Sequence, residues 1–146
     1  MDNSTTQKPP VLFWIIAAIA VIWNAMGINQ YLQQAYQTDA FKAMYPDEGV
    51  LEMVLNTPSW VMGAFAIAVF FGFLASVLLI LRKKWATPLY LISLIGIVVQ
   101  MIHNVFLSDS VEVLGAIAII MPIMILVLGV FLYFYSKNAT AKGWIS

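Results

Sequence analysis

Four long apolar runs, separated by short polar stretches, dominate the chain. A bilayer crossing needs about 20 predominantly apolar residues at 1.5 Å rise each. On that measure the sequence predicts spans over 11–28, 60–81, 89–107 and 111–135. Ala18-Ile19-Ala20 has the small-x-small look of a signal-peptide cleavage site, but the apolar run continues unbroken to Met26, so it is read as part of the first span. Pro10 is placed at the first turn of helix one, where a missing N–H costs nothing. Thr57-Pro58 and Thr87-Pro88 repeat a threonine N-cap followed by proline at the first helical position. Asp109 and Glu112 have capping-box spacing before helix four.

The polar stretches then set orientation. Lys8, Arg82, Lys83, Lys84, Lys137 and Lys142 fall at one end of such a bundle and Lys42 at the other, while Asp39, Asp47, Glu48, Glu52, Asp109 and Glu112 fall opposite the basic group. Basic residues stay on the cytoplasmic side, so both chain ends are expected there. The longest segment outside the spans, 29–57, then faces away from the cytoplasm. Helix one is expected to run on past the bilayer, as far as Met44, with Pro46 ending it. Val50, Leu51, Val54 and Leu55 suit a short interfacial helix over 48–55. The expected fold is an all-α, antiparallel four-helix membrane bundle, one domain over 1–146, with a small periplasmic helical cap.

Composition agrees. Of the 146 residues, 62% are hydrophobic and 10% charged, whereas a soluble domain carries about 25% charged residues to keep a solvated shell. Lipid is therefore the solvent and the first partner. The formal net charge of zero lacks the basic excess that nucleic acid requires. The chain has no cysteine, which removes disulfides, thiolate metal sites and cysteine nucleophiles. No Ser-His-Asp set, phosphate loop or intramembrane carboxylate pair is visible, so neither an enzyme nor a cofactor is expected.

Within the spans, small and polar residues mark faces that pack, because lipid offers no hydrophobic drive for helix association. Ala64, Ala68, Gly72 and Ser76 recur every four residues in helix two, as a packing stripe within the bundle or as a homodimer or partner seam. Helix one carries Ala17, Ala20, Asn24, Gly27 and Tyr31 at three-and-four spacing, and helix three carries Ser93, Gly96, Gln100, His103 and Asn104. Both faces become polar towards the same end. They are expected to meet, with Asn24, Gln100, His103 and Asn104 in one outward-facing cluster and Tyr31, Asp109 and Glu112 at its mouth. Such a cluster is either interhelical glue or a vestibule for a polar solute or a quinone-like headgroup. His103 is the lone histidine and the one ionisable side chain deep in a span. With nothing ionisable in the cytoplasmic half, it lacks partners for a transmembrane proton relay, and no metal site is expected. Pro122 interrupts the backbone bonding of helix four and is a hinge or a shape element.

Trp23-Asn24-x-x-Gly27, Pro58-x-Trp60, Lys84-Trp85-Ala86-x-Pro88, Val99-Gln100-Met101, Leu107-Ser108 and Met121-Pro122 together resemble a family of small bacterial four-span proteins commonly labelled "sugar transporter". The resemblance runs along nearly the whole chain. It implies a bacterial inner-membrane location and a transport-like role. Two functional classes stand at this point. One is a non-enzymatic accessory subunit of a larger membrane assembly, favoured by small size and the helix-two stripe. The other is a small-solute, sugar-like transporter or binding protein, oligomeric in form, favoured by the polar cluster, Pro122 and the resemblance.

Overall fold

The computed structural model describes residues 8–107, 112 and 115–146. Its elements are α1 (Val11–Tyr36), α2 (Asp39–Ala43), α3 (Glu48–Leu55), α4 (Ser59–Ile80), α5 (Ala86–Ile102), which continues as a π-helix over His103–Leu107, and α6 (Ile117–Ala141). Four of these helices are long and apolar enough to cross a membrane. The fold is the all-α bundle the pattern predicts: four long apolar helices packed together, plus short connecting helices.

Helix ends differ from expectation for local reasons. Helix α1 stops at Tyr36, because Gln37 adopts a left-handed conformation (φ 51°) whose N–H closes onto the carbonyls of Gln33 and Gln34. Thr38 then caps α2 by accepting from the Phe41 N–H. Asp47 caps α3, its carboxylate accepting from Gly49 and Val50 at 2.8 and 3.1 Å. Neither threonine of the Thr-Pro pairs caps the helix after it. Pro58 is itself the N-cap of α4, and the Thr57 hydroxyl donates backwards to the Val54 carbonyl at 2.7 Å. Trp85 is the N-cap of α5, so Thr87 and Pro88 lie inside the first turn, and the Thr87 hydroxyl reaches Ser136 on α6 at 3.1 Å. Helix α6 runs past the predicted end at Tyr135 to Ala141. The capping box expected at Asp109 lies outside the described residues.

Helix α4 packs against both α1 and α5, and α6 packs on α5. The spacing is set by missing side chains. A Cβ at Gly96 would lie 2.7 Å from the Ala64 carbonyl oxygen, so α5 and α4 approach backbone to backbone. The outward sides of the helices, including Val11, Ile15, Ile19 and Ile22 of α1 and Val127 and Phe134 of α6, are exposed and apolar. In hydrocarbon that exposure costs nothing, so away from the apolar cluster at the basic end the helices are sorted by small residues and polar contacts.

The two ends of the bundle are built differently. At the basic end Phe13, Leu79, Tyr90, Leu132 and Ile145 form one tightly packed cluster. Phe13 meets Tyr135 and Trp144 with ring centroids 6.3 and 6.0 Å apart, closing α1 onto α6. The final residues are stapled across the turn between α4 and α5. Arg82 Nε donates to the Trp144 carbonyl at 2.8 Å. Ser146 N–H donates to the Arg82 carbonyl at 3.1 Å, and Lys84 N–H to the Ser146 carbonyl at 3.2 Å. These bonds hold Arg82 at φ 61°, a left-handed backbone that a non-glycine residue seldom adopts. The acidic end, roofed by α3, instead encloses a cavity.

Candidate functional site

The residues expected to form one polar cluster separate into two layers. The inner layer gathers around Asn24. Its amide nitrogen donates to the Ala20 carbonyl at 2.8 Å and to the Ser76 hydroxyl at 3.2 Å. Ser76 Oγ lies 2.7 Å from Tyr90 Oη and donates to the Gly72 carbonyl at 2.8 Å. Ser93 completes the layer by donating to the Ala68 carbonyl at 2.6 Å. Among the described residues no buried side-chain nitrogen or oxygen lacks a partner. An unpaired polar atom in hydrocarbon costs several kcal/mol, so a network of this kind holds helices together.

The outer layer lines a cavity of about 340 Å³ at the acidic end. Gln100, His103 and Asn104 are brought together there, as expected, and Asn24 is not with them. The polar face of α1 meets α4 rather than α5. Asn24 is level with Gly72 of α4, whereas His103 is level with Trp60, its ring edge-on at 5.5 Å. Those two levels of α4 are roughly 18 Å apart at 1.5 Å per residue. The expectation of equal depth is therefore corrected, and Asn24 belongs to the packing layer. Tyr31 is not at the cavity mouth either. It packs edge-on against Phe65 and Phe70 at 5.4 and 5.7 Å. Glu112 is exposed and does not line the cavity. The stripe Ala64, Ala68, Gly72 and Ser76 is buried within the single chain: Ala64 and Ala68 lie against Gly96, and Gly72 and Ser76 against Asn24 and the α5 residues Ser93 and Tyr90.

Three further polar groups belong to the cavity and were missed. Gln34 donates to the Val54 carbonyl at 3.2 Å and to the Thr57 hydroxyl at 3.3 Å, tying α1 to the end of α3. Gln34 lies one turn beyond Tyr31 on helix one, and that continuation was the available signal. Thr57 and Tyr45 line the same space. The rest of the lining is largely apolar, with Met62, Phe65, Ile97, Met121, Pro122 and Ile125. Pro122 lies within α6, which continues on both sides of it. The His103–Leu107 π-helix sits at the cavity rim. Its wider turn shifts the side-chain phase of α5 there, and such π turns are frequent at functional sites. His103 Nδ1 and Asn104 Oδ1 are 3.4 Å apart, at the long limit of a hydrogen bond. Among the described residues no three acidic or histidine side chains gather to hold a metal ion.

Four long apolar helices packed together define a multi-pass membrane protein, with an apolar cluster at one end of the bundle and the cavity at the other. Comparison with models of known families, with curated proteins and with solved structures finds no match.

Proposed function

We propose that this chain is a non-enzymatic membrane protein that binds a small, uncharged, ring-sized solute in the cavity at its acidic end. The observation that carries the reading is the lining itself. Amide and imidazole groups of Gln34, Gln100, His103 and Asn104 share the lining of a 340 Å³ space with methionine, isoleucine, phenylalanine and proline. Small-molecule sites are concave, about 300–1,000 Å³, mostly apolar, with a few convergent polar groups. Among the described residues no Asp, Glu, Lys or Arg lines this one, which favours a neutral ligand able to donate and accept hydrogen bonds, either a sugar-like ring or a quinone-like headgroup. The resemblance to small four-span proteins labelled as sugar transporters points the same way. Transport would in addition require the packed basic end to open.

The test uses the purified chain in neutral detergent, titrated in parallel with a hexose and with a water-soluble benzoquinone and followed by tryptophan fluorescence, since Trp60 packs edge-on against His103. One of the two probes is expected to bind saturably, with Gln100→Leu and Asn104→Leu each weakening it at least tenfold. Unchanged affinity in both variants would overturn the reading.

The accessory-subunit reading was favoured by small size, by the lack of a charged pathway and by the small-residue stripe, and only the last is touched by the packing. That stripe is spent on contacts within one chain. We further propose the orientation that the charge asymmetry implies, with the basic end cytoplasmic in a bacterial inner membrane.

A further inference from the structure

At the basic end a second concavity, about 480 Å³ and open to the outside, lies between the first turn of α5 and the last turn of α6. Its lining includes Pro88 and Ala141 together with Lys84 and Lys137, all four exposed. The hydroxyls of Thr87 and Thr140, also in the lining, are used on Ser136 at 3.1 and 3.0 Å. The slot therefore combines an apolar lining with two lysines. No Asp or Glu of the described residues answers those charges, because Asp39, Asp47, Glu48, Glu52 and Glu112 all belong to the opposite end. Trp85, 65% exposed beside the groove, stands where a span ends, at the depth of lipid headgroups.

We propose that this groove is a binding site for one anionic phospholipid, its phosphate held between the Lys84 and Lys137 ammonium groups and an acyl chain lying along the slot. Charge complementarity selects the headgroup and the apolar lining selects a lipid over a soluble anion. Basic pockets between transmembrane helices hold anionic headgroups by the same physics. The site is independent of the cavity at the other end and does not rest on the function proposed for it.

The whole chain in neutral detergent is titrated with phosphatidylglycerol and with phosphatidylcholine of identical acyl chains, and bound lipid is counted by native mass spectrometry. Phosphatidylglycerol should bind at least tenfold more tightly. The K84Q/K137Q variant should lose about thirtyfold, at roughly fivefold per lysine, and fall to the phosphatidylcholine level. Ala141→Trp, which keeps both charges and fills the slot, should also lose the preference. All three positions are exposed, so the bundle survives these changes. Lys142→Gln, whose ammonium instead lies 4.8 Å over the Trp144 ring, should change binding less than twofold. Equal binding of the two lipids, a preference retained in either groove variant, or full displacement of phosphatidylglycerol by excess inorganic phosphate would each overturn the proposal.

Discussion

Two glycines of the same bundle illustrate how closely single residues set its spacing. A Cβ at Gly96 would press on the Ala64 carbonyl and on the Ala68 backbone, neither of which can turn away, while a Cβ at Gly63 would meet nothing within 4 Å. Overpacking forces backbone shifts that cost about 1–3 kcal/mol. Gly96→Ala should therefore lower stability in detergent-titrated unfolding by about that amount, and Gly63→Ala should leave it unchanged or slightly raised by helix propensity. Asn24 makes a different point. Leucine there would remove the bond to Ser76, at a cost of about 0.6 and at most roughly 1.7 kcal/mol, the measured range for interhelical hydrogen bonds in a membrane. Solute affinity at the cavity should stay within twofold of the parent chain. A tenfold loss of affinity in Asn24→Leu would show that the two polar layers act as one.

Among the elements, α3 borders the cavity through Met53 and Val54. It is held by the Asp47 cap, by the bond from Gln34 to the Val54 carbonyl, and by Tyr45 packed against Phe41 with ring centroids 5.2 Å apart. Asp47→Ala should cost the helix about 1 kcal/mol and speed amide hydrogen exchange across 48–55, with exchange in α4 unaffected. Tyr45 adds a pH dependence. Burial raises its phenol above the ordinary value of 10.0, because the charged form is penalised away from water. A group whose folded value is raised stabilises fully below its unfolded value and loses that contribution as pH rises through the folded one. The roof should thus loosen only above pH 10.0, and Tyr45→Phe should abolish that alkaline phase of hydrogen exchange.

Across the whole molecule, an apolar cluster at one end and the cavity at the other make the bundle asymmetric along its axis. Ile145 is 1% exposed and fixes the final turn beneath the Phe13 and Tyr135 rings. Ile145→Ala should cost about 2–5 kcal/mol, the usual range for emptying a large aliphatic site. It should also raise protease susceptibility in the 82–85 turn that the same tail covers. The absence of cysteine from the sequence makes orientation directly readable. A single cysteine replacing Glu48 should react with a membrane-impermeant maleimide in intact cells, and one replacing Lys137 only after permeabilisation. The reverse pattern would invert the proposed orientation and move the cavity to the cytoplasmic face.

The sequence by itself determined that there are four spans, although the fourth helix begins at Ile117 and not at Val111, as well as the gathering of basic residues at one end, the helix over 48–55, and the small-residue faces on which the bundle packs. These follow from span length, bilayer thickness and local periodicity, all of which act within a few turns of chain. It determined that Gln100, His103 and Asn104 share a face, because they are three and four residues apart on one helix. Only the tertiary structure decided what each face meets. In an almost uniformly apolar helix, a stripe of small and polar residues says that something packs there and not which neighbour does. Depth was beyond reach for a related reason. The level of Asn24 depends on how far α1 slides along α4, and that register is set by contacts such as Gly27 against Val69 and Tyr31 against Phe65. The groove at Lys84 and Lys137 likewise joins residues far apart in the chain, and exists only because α6 returns alongside the start of α5.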